Sequence, residues 1–179
     1  YKREIIESRT DAAATIIQAL RTTPNRVHSL VAASAIGYYG DRTDEVMTEE
    51  SAAGPGFLAE TVQEWEAAYR TSPVRTVLLR TGIVLSSNGG ALPQLVRPLQ
   101  YGVCPITGSG MHYMSWIHID DLCRQFIFAA ENNTLSGVYN AVSPVPLKLN
   151  VFMKELCREL SPRAIPVNVP GFLIRLILG

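Results

Sequence analysis

Residues 75–85 read RTVLLRTGIVL, a nearly unbroken run of aliphatic and β-branched side chains. The run lacks the polar alternation of a strand with one wet face, so it reads as a parallel strand covered on both sides. Parallel neighbours need crossover connections, normally helices. On the N-terminal side, residues 57–70 (FLAETVQEWEAAYR) place Leu58, Thr61, Trp65 and Ala68 along one side of a helix. Further back, residues 26–36 (RVHSLVAASAI) read as a second buried strand, and residues 4–20 carry a helical apolar stripe through Ile5, Ala12, Ala13, Ile16, Ile17 and Leu20. Residues 41–56 are polar and hold Gly54-Pro55-Gly56, a loop. On the C-terminal side we expect a helix over 91–101, an irregular stretch over 104–115, and a short strand over 116–119. A helix N-capped by Asp120 follows and ends near Asn132. Residues 137–142 (GVYNAV) give a third long strand, and helices are expected at 149–160 and from Pro170 onward. Strands alternating with helices mean an α/β fold with a mainly parallel sheet.

Composition bounds the function. With 179 residues and 16 basic against 16 acidic side chains, bulk charge gives no reason to expect a nucleic-acid or membrane partner. Hydrophobic residues at 47% and charged residues at 18% exclude intrinsic disorder. Apolar runs such as residues 126–130 are far shorter than the roughly 20 residues of a membrane-spanning helix. Cys104, Cys123 and Cys157 are odd in number, widely spaced and lack a CxxC pair. We therefore expect a reducing, cytoplasmic setting, no disulfide and no structural zinc. His28, His112 and His118 have no metal-like spacing, so no metal site is expected. Tyr1 enters a helical pattern without a cap and PGFLIRLILG stops inside an apolar helix start, so a fragment at both ends is expected.

In open parallel sheets, ligands collect at the carboxyl ends of the strands. Ala33 to Gly40 (ASAIGYYG), Arg80-Thr81-Gly82-Ile83-Val84 and Asn140-Ala141-Val142-Ser143 all fall there. Their small residues let backbone approach a flat ligand, although each segment alone also suits an ordinary turn.

Taken in order, SAIGYYGD, FLAETVQEWE, LRTGIVL and MSWIHIDDL resemble the C-terminal part of the extended short-chain dehydrogenase/reductase superfamily. The closest likeness is to its atypical branch, the NAD(P)-binding "epimerase family" proteins. The resemblance implies an incomplete Rossmann-type, doubly wound sheet over residues 1–147, with 89–115 contributing to a small substrate lobe that continues through 148–179. It also implies NADP or NAD as cofactor, a small-molecule substrate, and a homodimer through helices such as 4–20 and 57–70. Ala33, Ser34, Arg80, Thr81, Gly82 and Val84 would flank the cofactor. The phosphate fingerprint GxGxxG does not occur in these residues; Gly108-Ser109-Gly110 is followed by Met111, His112 and Tyr113.

The resemblance further implies a Ser at the end of the first strand and a Tyr-x-x-x-Lys pair that passes a proton to or from substrate, the Lys lowering a phenol pKa of about 10. Ser34 occupies the Ser position. About two dozen residues on, this chain has Phe57 and Thr61 where the Tyr and Lys belong, and no tyrosine anywhere is followed four residues later by lysine. Tyr38 is the candidate replacement acid, and Tyr39 reads as a packing residue. Glu60 suits the dipole of its helix. Arg80 either clamps an anionic group or pairs with a carboxylate. The loop containing Gly108, Gly110, Met114, Ser115 and Trp116, with His118 after it, combines glycines, aromatics and an imidazole as a substrate contact or as a surface loop. Two functions stay open: an NADP(H)-dependent oxidoreductase or epimerase-like enzyme, and a non-catalytic NAD(P)-binding sensor or scaffold.

Overall fold

The computed structural model describes residues 2–169. In chain order the elements are α1 (Lys2–Thr22), β1 (Ser29–Ala35), a 3-10 turn (Ile36–Tyr39), α2 (Phe57–Tyr69), β2 (Arg75–Thr81), β3 (Ile83–Ser86), β4 (Gly89–Gly90), α3 (Ala91–Val96), a second 3-10 turn (Arg97–Tyr101), β5 (Val103–Thr107), β6 (Tyr113–Met114), β7 (Trp116–His118), α4 (Ile119–Glu131), β8 (Gly137–Ala141), β9 (Leu147–Lys148), α5 (Leu149–Leu160) and β10 (Ile165–Val169). They form two units. One holds the chain through Gly82 plus Asp120–Val142; the other holds Ile83–Ile119 plus the chain from Ser143.

The first unit is built on a parallel sheet in the order β1-β2-β8. Its central strand explains the apolar run: Val77, Leu78, Leu79 and Arg80 are all buried, because alternate residues meet protein on both faces. One face is covered by α1 and α2, whose Ala13, Ile17 and Tyr69 pack on Ala32 and Leu78. The buried side of α2 is Ala59, Thr61, Val62, Glu66 and Tyr69, while Leu58 is exposed. The expected stripe through Leu58 is thus rotated toward Ala59 and Val62. Arg75 begins β2 and donates to the carbonyls of Ala129, Ala130 and Leu135 at 2.8–3.0 Å. These carbonyls end α4 and the turn after it, where a helix leaves acceptors unpaired and its dipole favours a cation.

The run 75–85 is not one strand. β2 ends at Thr81 and the Gly82 N–H donates to the Ala141 carbonyl at 3.1 Å. The next N–H, that of Ile83, donates to Ser115, and β3 pairs with β4 and β7 instead. Continuous apolar character cannot reveal that a chain has changed sheets. Gly82 is the only local sign.

The second unit holds three small sheets: β4-β3-β7, the parallel pair β10-β5, and the antiparallel pair β6-β9. Its core is Leu99, Cys104, Ile106, Met114, Leu149, Met153 and Cys157. On α5 the spacing Leu149, Met153, Cys157 is one stripe facing β5. Cys104 and Cys157 are disulfide-bonded, with Cα atoms 6.3 Å apart. This corrects the expectation of free thiols throughout: partners 53 residues apart become neighbours only when α5 lies on β5. Residues 103–107 also correct the expected irregular stretch, since their partner β10 is distant in sequence. Asp120 is not an N-cap; α4 starts at Ile119, and Asp120 and Asp121 stand in its first turn. The helix expected from Pro170 lies outside the described residues. No helix among the described residues is long and apolar enough to cross a membrane.

Arg75, half-buried and bonded to three carbonyls, and Arg124 separate firmly bonded from exposed charge. Replacing Arg75 with Met should cost about 1.5–3 kcal/mol, the loss of charged hydrogen bonds to otherwise unpaired carbonyls. Arg124, 76% exposed beside Asp121, should change stability by less than about 0.5 kcal/mol on the same substitution. Urea denaturation of the full-length protein checks both, and equal losses would contradict the assignment.

Candidate functional site

The register of the parallel sheet places Ser34, Arg80 and Asn140 in one row near the carboxyl ends of β1, β2 and β8. Within a row, side chains share a face, here the face on which α2 lies. Glu66 of α2 reaches down to it. The Arg80 guanidinium donates from Nε to Glu66 Oε1 and from Nη2 to Oε2, each at 2.8 Å. Ser34 Oγ donates to the same Oε1 at 2.6 Å. Arg80 Nη1 donates to the Tyr39 hydroxyl at 3.0 Å, and that hydroxyl donates to Asn140 Oδ1 at 2.6 Å. Ser34, Tyr39, Glu66 and Arg80 are all buried.

The arrangement is a forked carboxylate–guanidinium pair with its remaining capacity met by neutral hydroxyls, as a buried charge pair requires. Burial opposes the Arg80 charge, but its hydrogen bonds to Glu66 and Tyr39 prevail and hold it above the ordinary arginine range. The Tyr38 ring lies against the flat of the guanidinium, 3.4 Å from ring centroid to Cζ, a cation–π contact. A cavity of about 410 Å³ borders the cluster, with Tyr38, Gln63, Glu66, Arg70, Leu78 and Arg80 among its walls.

The loop of residues 41–56 is clamped over these strand ends. Arg42 donates to the carbonyls of Tyr39, Ala52 and Ala53. The Asn140 N–H donates to Glu49 Oε1 at 2.7 Å, which fills one backbone donor on the strand edge. The Gly54 N–H donates to the Tyr38 carbonyl at 2.9 Å. A Cβ at Gly54 would sit 2.0 Å from the Tyr39 carbonyl oxygen, so only glycine allows this approach.

The sequence-derived candidates separate. Ser34, Tyr38 and Arg80 meet in the cluster. Ala33 points to the opposite face of β1, where it is exposed. Thr81 Oγ1 donates back to the Leu79 carbonyl, and Gly82 bonds to β8. Val84 lies in the second unit. So does the other loop: Gly108 and Gly110 have positive φ, Met114 is buried in the core, and the Ser115 and Trp116 carbonyls accept from Ile83 and Ser143. Trp116 Nε1 is buried without a hydrogen-bond partner, and His118 is exposed on β7. On α2, Phe57 takes the cation of Lys2 over its ring. Buried Thr61 donates to the Phe57 carbonyl at 2.7 Å. Neither presents a proton-transfer group.

Sequence reasoning missed Glu66 and Glu49, placed Asn140 only within a segment at a strand end, and read Tyr39 only as packing. For Glu66 a signal existed: it falls in the buried series Ala59, Val62, Glu66, Tyr69, where a lone acid demands a buried cation. For Glu49 there was none.

Residues 1–141 match the NAD dependent epimerase/dehydratase family. The chain is 36% identical over 183 residues to an epimerase family protein SDR39U1 homolog, chloroplastic, of Arabidopsis thaliana, covering 99% of this chain and 52% of that protein. It is 41% identical over 157 residues to the epimerase family protein Mb2239 of Mycobacterium bovis, covering 86% of this chain and 52% of the relative. Among solved structures it resembles human epimerase family protein SDR39U1 with NADPH: TM-score 0.91, 29% identity, 98% of this chain and 60% of that one. The chain thus spans about half the length of the curated relatives it matches.

The ion pair makes a testable demand. Arg80→Met alone should lower stability by about 3–5 kcal/mol, because it strands the Glu66 carboxylate in the interior. Glu66→Leu added to Arg80→Met should recover much of that loss. Denaturation of the single and double variants measures the coupling; purely additive losses would show that the two residues act independently.

Proposed function

Because the chain belongs to the NAD dependent epimerase/dehydratase family, we propose that the whole protein binds a nicotinamide dinucleotide and works without the Tyr/Lys proton relay. What supports the second part is α2, where the resemblance puts the relay at Phe57 and Thr61: one is an apolar ring, the other a buried hydroxyl bonded within its own helix. The first part is supported by the human relative solved with NADPH and by the surface this chain offers. Ala33 is an exposed methyl at the carboxyl end of β1, with Thr81 and Gly82 at the end of β2. Small residues there suit close approach of a planar ring.

A bound nicotinamide would supply hydride exchange. This chain's own residues would shape the floor beneath it. Ser34 directs its proton to Glu66, so only lone pairs of its hydroxyl remain for other partners. Tyr38, held on Arg80, is the candidate to exchange a proton with a substrate oxygen, and solvent water is the alternative source. The second reading, recognition without turnover, is favoured by the same commitment of Ser34 together with the inert pair on α2.

One experiment separates them. Full-length protein is titrated with NADPH by fluorescence and then offered carbonyl compounds and nucleotide sugars. The enzyme reading expects turnover that Tyr38→Phe lowers by roughly 10²-fold or more with NADPH affinity kept. Tight binding with no turnover across the panel supports the sensor, and absence of NADPH binding contradicts both.

A further inference from the structure

The disulfide lies beneath a loop that both of its elements build. β5 runs from Cys104 directly into that loop at Thr107. The loop is then handed to the first turn of α5. There the Asn150 N–H donates to the Gly110 carbonyl at 2.9 Å and the Leu149 N–H to the His112 carbonyl at 3.0 Å. β6 inside the loop pairs with β9, which leads into α5. Packing is tight at the crossing. Gly110 has φ +67, and a Cβ there would meet Ile106 Cγ2 at 2.5 Å and Asn150 Cβ at 2.9 Å. The loop therefore keeps its shape only while α5 stays seated on β5. The Cys104–Cys157 bond joins those two elements covalently, two helical turns along the stripe that starts at Leu149.

We propose that Cys104–Cys157 is a thiol–disulfide modification site, through which a dithiol reductant loosens the loop of residues 108–115. Cys157 is 6% exposed and Cys104 fully buried, so the first attack falls on Cys157. A thiolate of the reductant bonds to Cys157 Sγ and the disulfide breaks. Cys104 leaves with the electron pair and takes a proton from water. The reductant's second thiolate then displaces Cys157, which is likewise protonated, and the reductant ends as a disulfide. Two electrons and two protons have passed to the protein. The loss frees a closure of 53 residues, which had restricted the unfolded and locally opened chain. Any effect on substrate rests on the reading of this loop as substrate-facing; its effect on loop order does not.

The test uses full-length protein, first oxidised and then treated with dithiothreitol, and needs no ligand. Peptide mapping of the oxidised protein should recover Cys104 and Cys157 in one linked fragment. Hydrogen exchange should then rise about tenfold or more on reduction at residues 108–115 and at Leu149 and Asn150, with β1 and β2 amides unchanged. A Cys104→Ala/Cys157→Ala variant should exchange at the reduced rate and ignore dithiothreitol. If both thiols are free in the oxidised protein, if loop exchange is the same in both states, or if β1 and β2 accelerate equally, the proposal is overturned. The comparison on unsubstituted protein decides it whether or not the variant folds.

Discussion

The pair Glu66–Arg80 is the constraint around which the first unit is organised. A carboxylate on α2 and a guanidinium in the middle of β2 are both taken out of water, and neither can stay there alone. Their mutual bonds fix the rotation of α2 about its axis and its height along the sheet. That in turn decides that Ala59, Val62 and Tyr69 face inward and Leu58 outward. The same two groups fill what capacity remains with Ser34 from β1 and Tyr39 from the turn after it. Through Tyr39 the chain of bonds reaches Asn140 on β8. Three strands and one helix thus share one polar network at the end of the sheet where ligands of such folds bind.

Much of this was legible in the sequence, and the gaps have physical causes. The run 75–85 announced a doubly covered parallel strand, and residues 57–70 gave α2 to within a residue of its observed end. Two charges stood in apolar patterns, Glu66 on its helix and Arg80 in its strand. Pairing them needs only the rule that buried charge is never left single, applied to both at once. The change of sheet at Gly82 stayed hidden because hydrophobicity is the same on either side of it. β5 and β10, like the two-residue ladders β6 and β9, exist by virtue of distant partners; local propensity carries no trace of them. Cysteine counting failed at Cys104 and Cys157 for the same reason, since spacing along the chain says nothing about an α5 stripe meeting a β5 side chain.

The network also clarifies what chemistry this chain offers. In the superfamily that the sequence resembles, the serine at the end of the first strand works with a Tyr/Lys pair on the following helix. Here the serine is tied to Glu66 on the same face of the sheet, and the helix offers Phe57 and Thr61. The hydroxyl, the acid and the cation of the cluster are engaged with one another. What remains open to a ligand is the uncovered side of β1 at Ala33 and the Tyr38 ring on its guanidinium. The result is a well-fixed floor with few proton-transfer groups.

The central claim is that Arg80 is locked to Glu66 in the folded protein, and the most direct measurement is the solvent exchange of its guanidinium protons by ¹H–¹⁵N NMR on full-length protein. Buried and bonded to Glu66 Oε1 within a two-bond fork, the Arg80 Nε–H should persist under conditions where that of exposed Arg124 is exchange-broadened, and should lose its protection in Glu66→Gln. Exchange at Arg80 as fast as at Arg124, or protection unaltered by Glu66→Gln, would contradict the account.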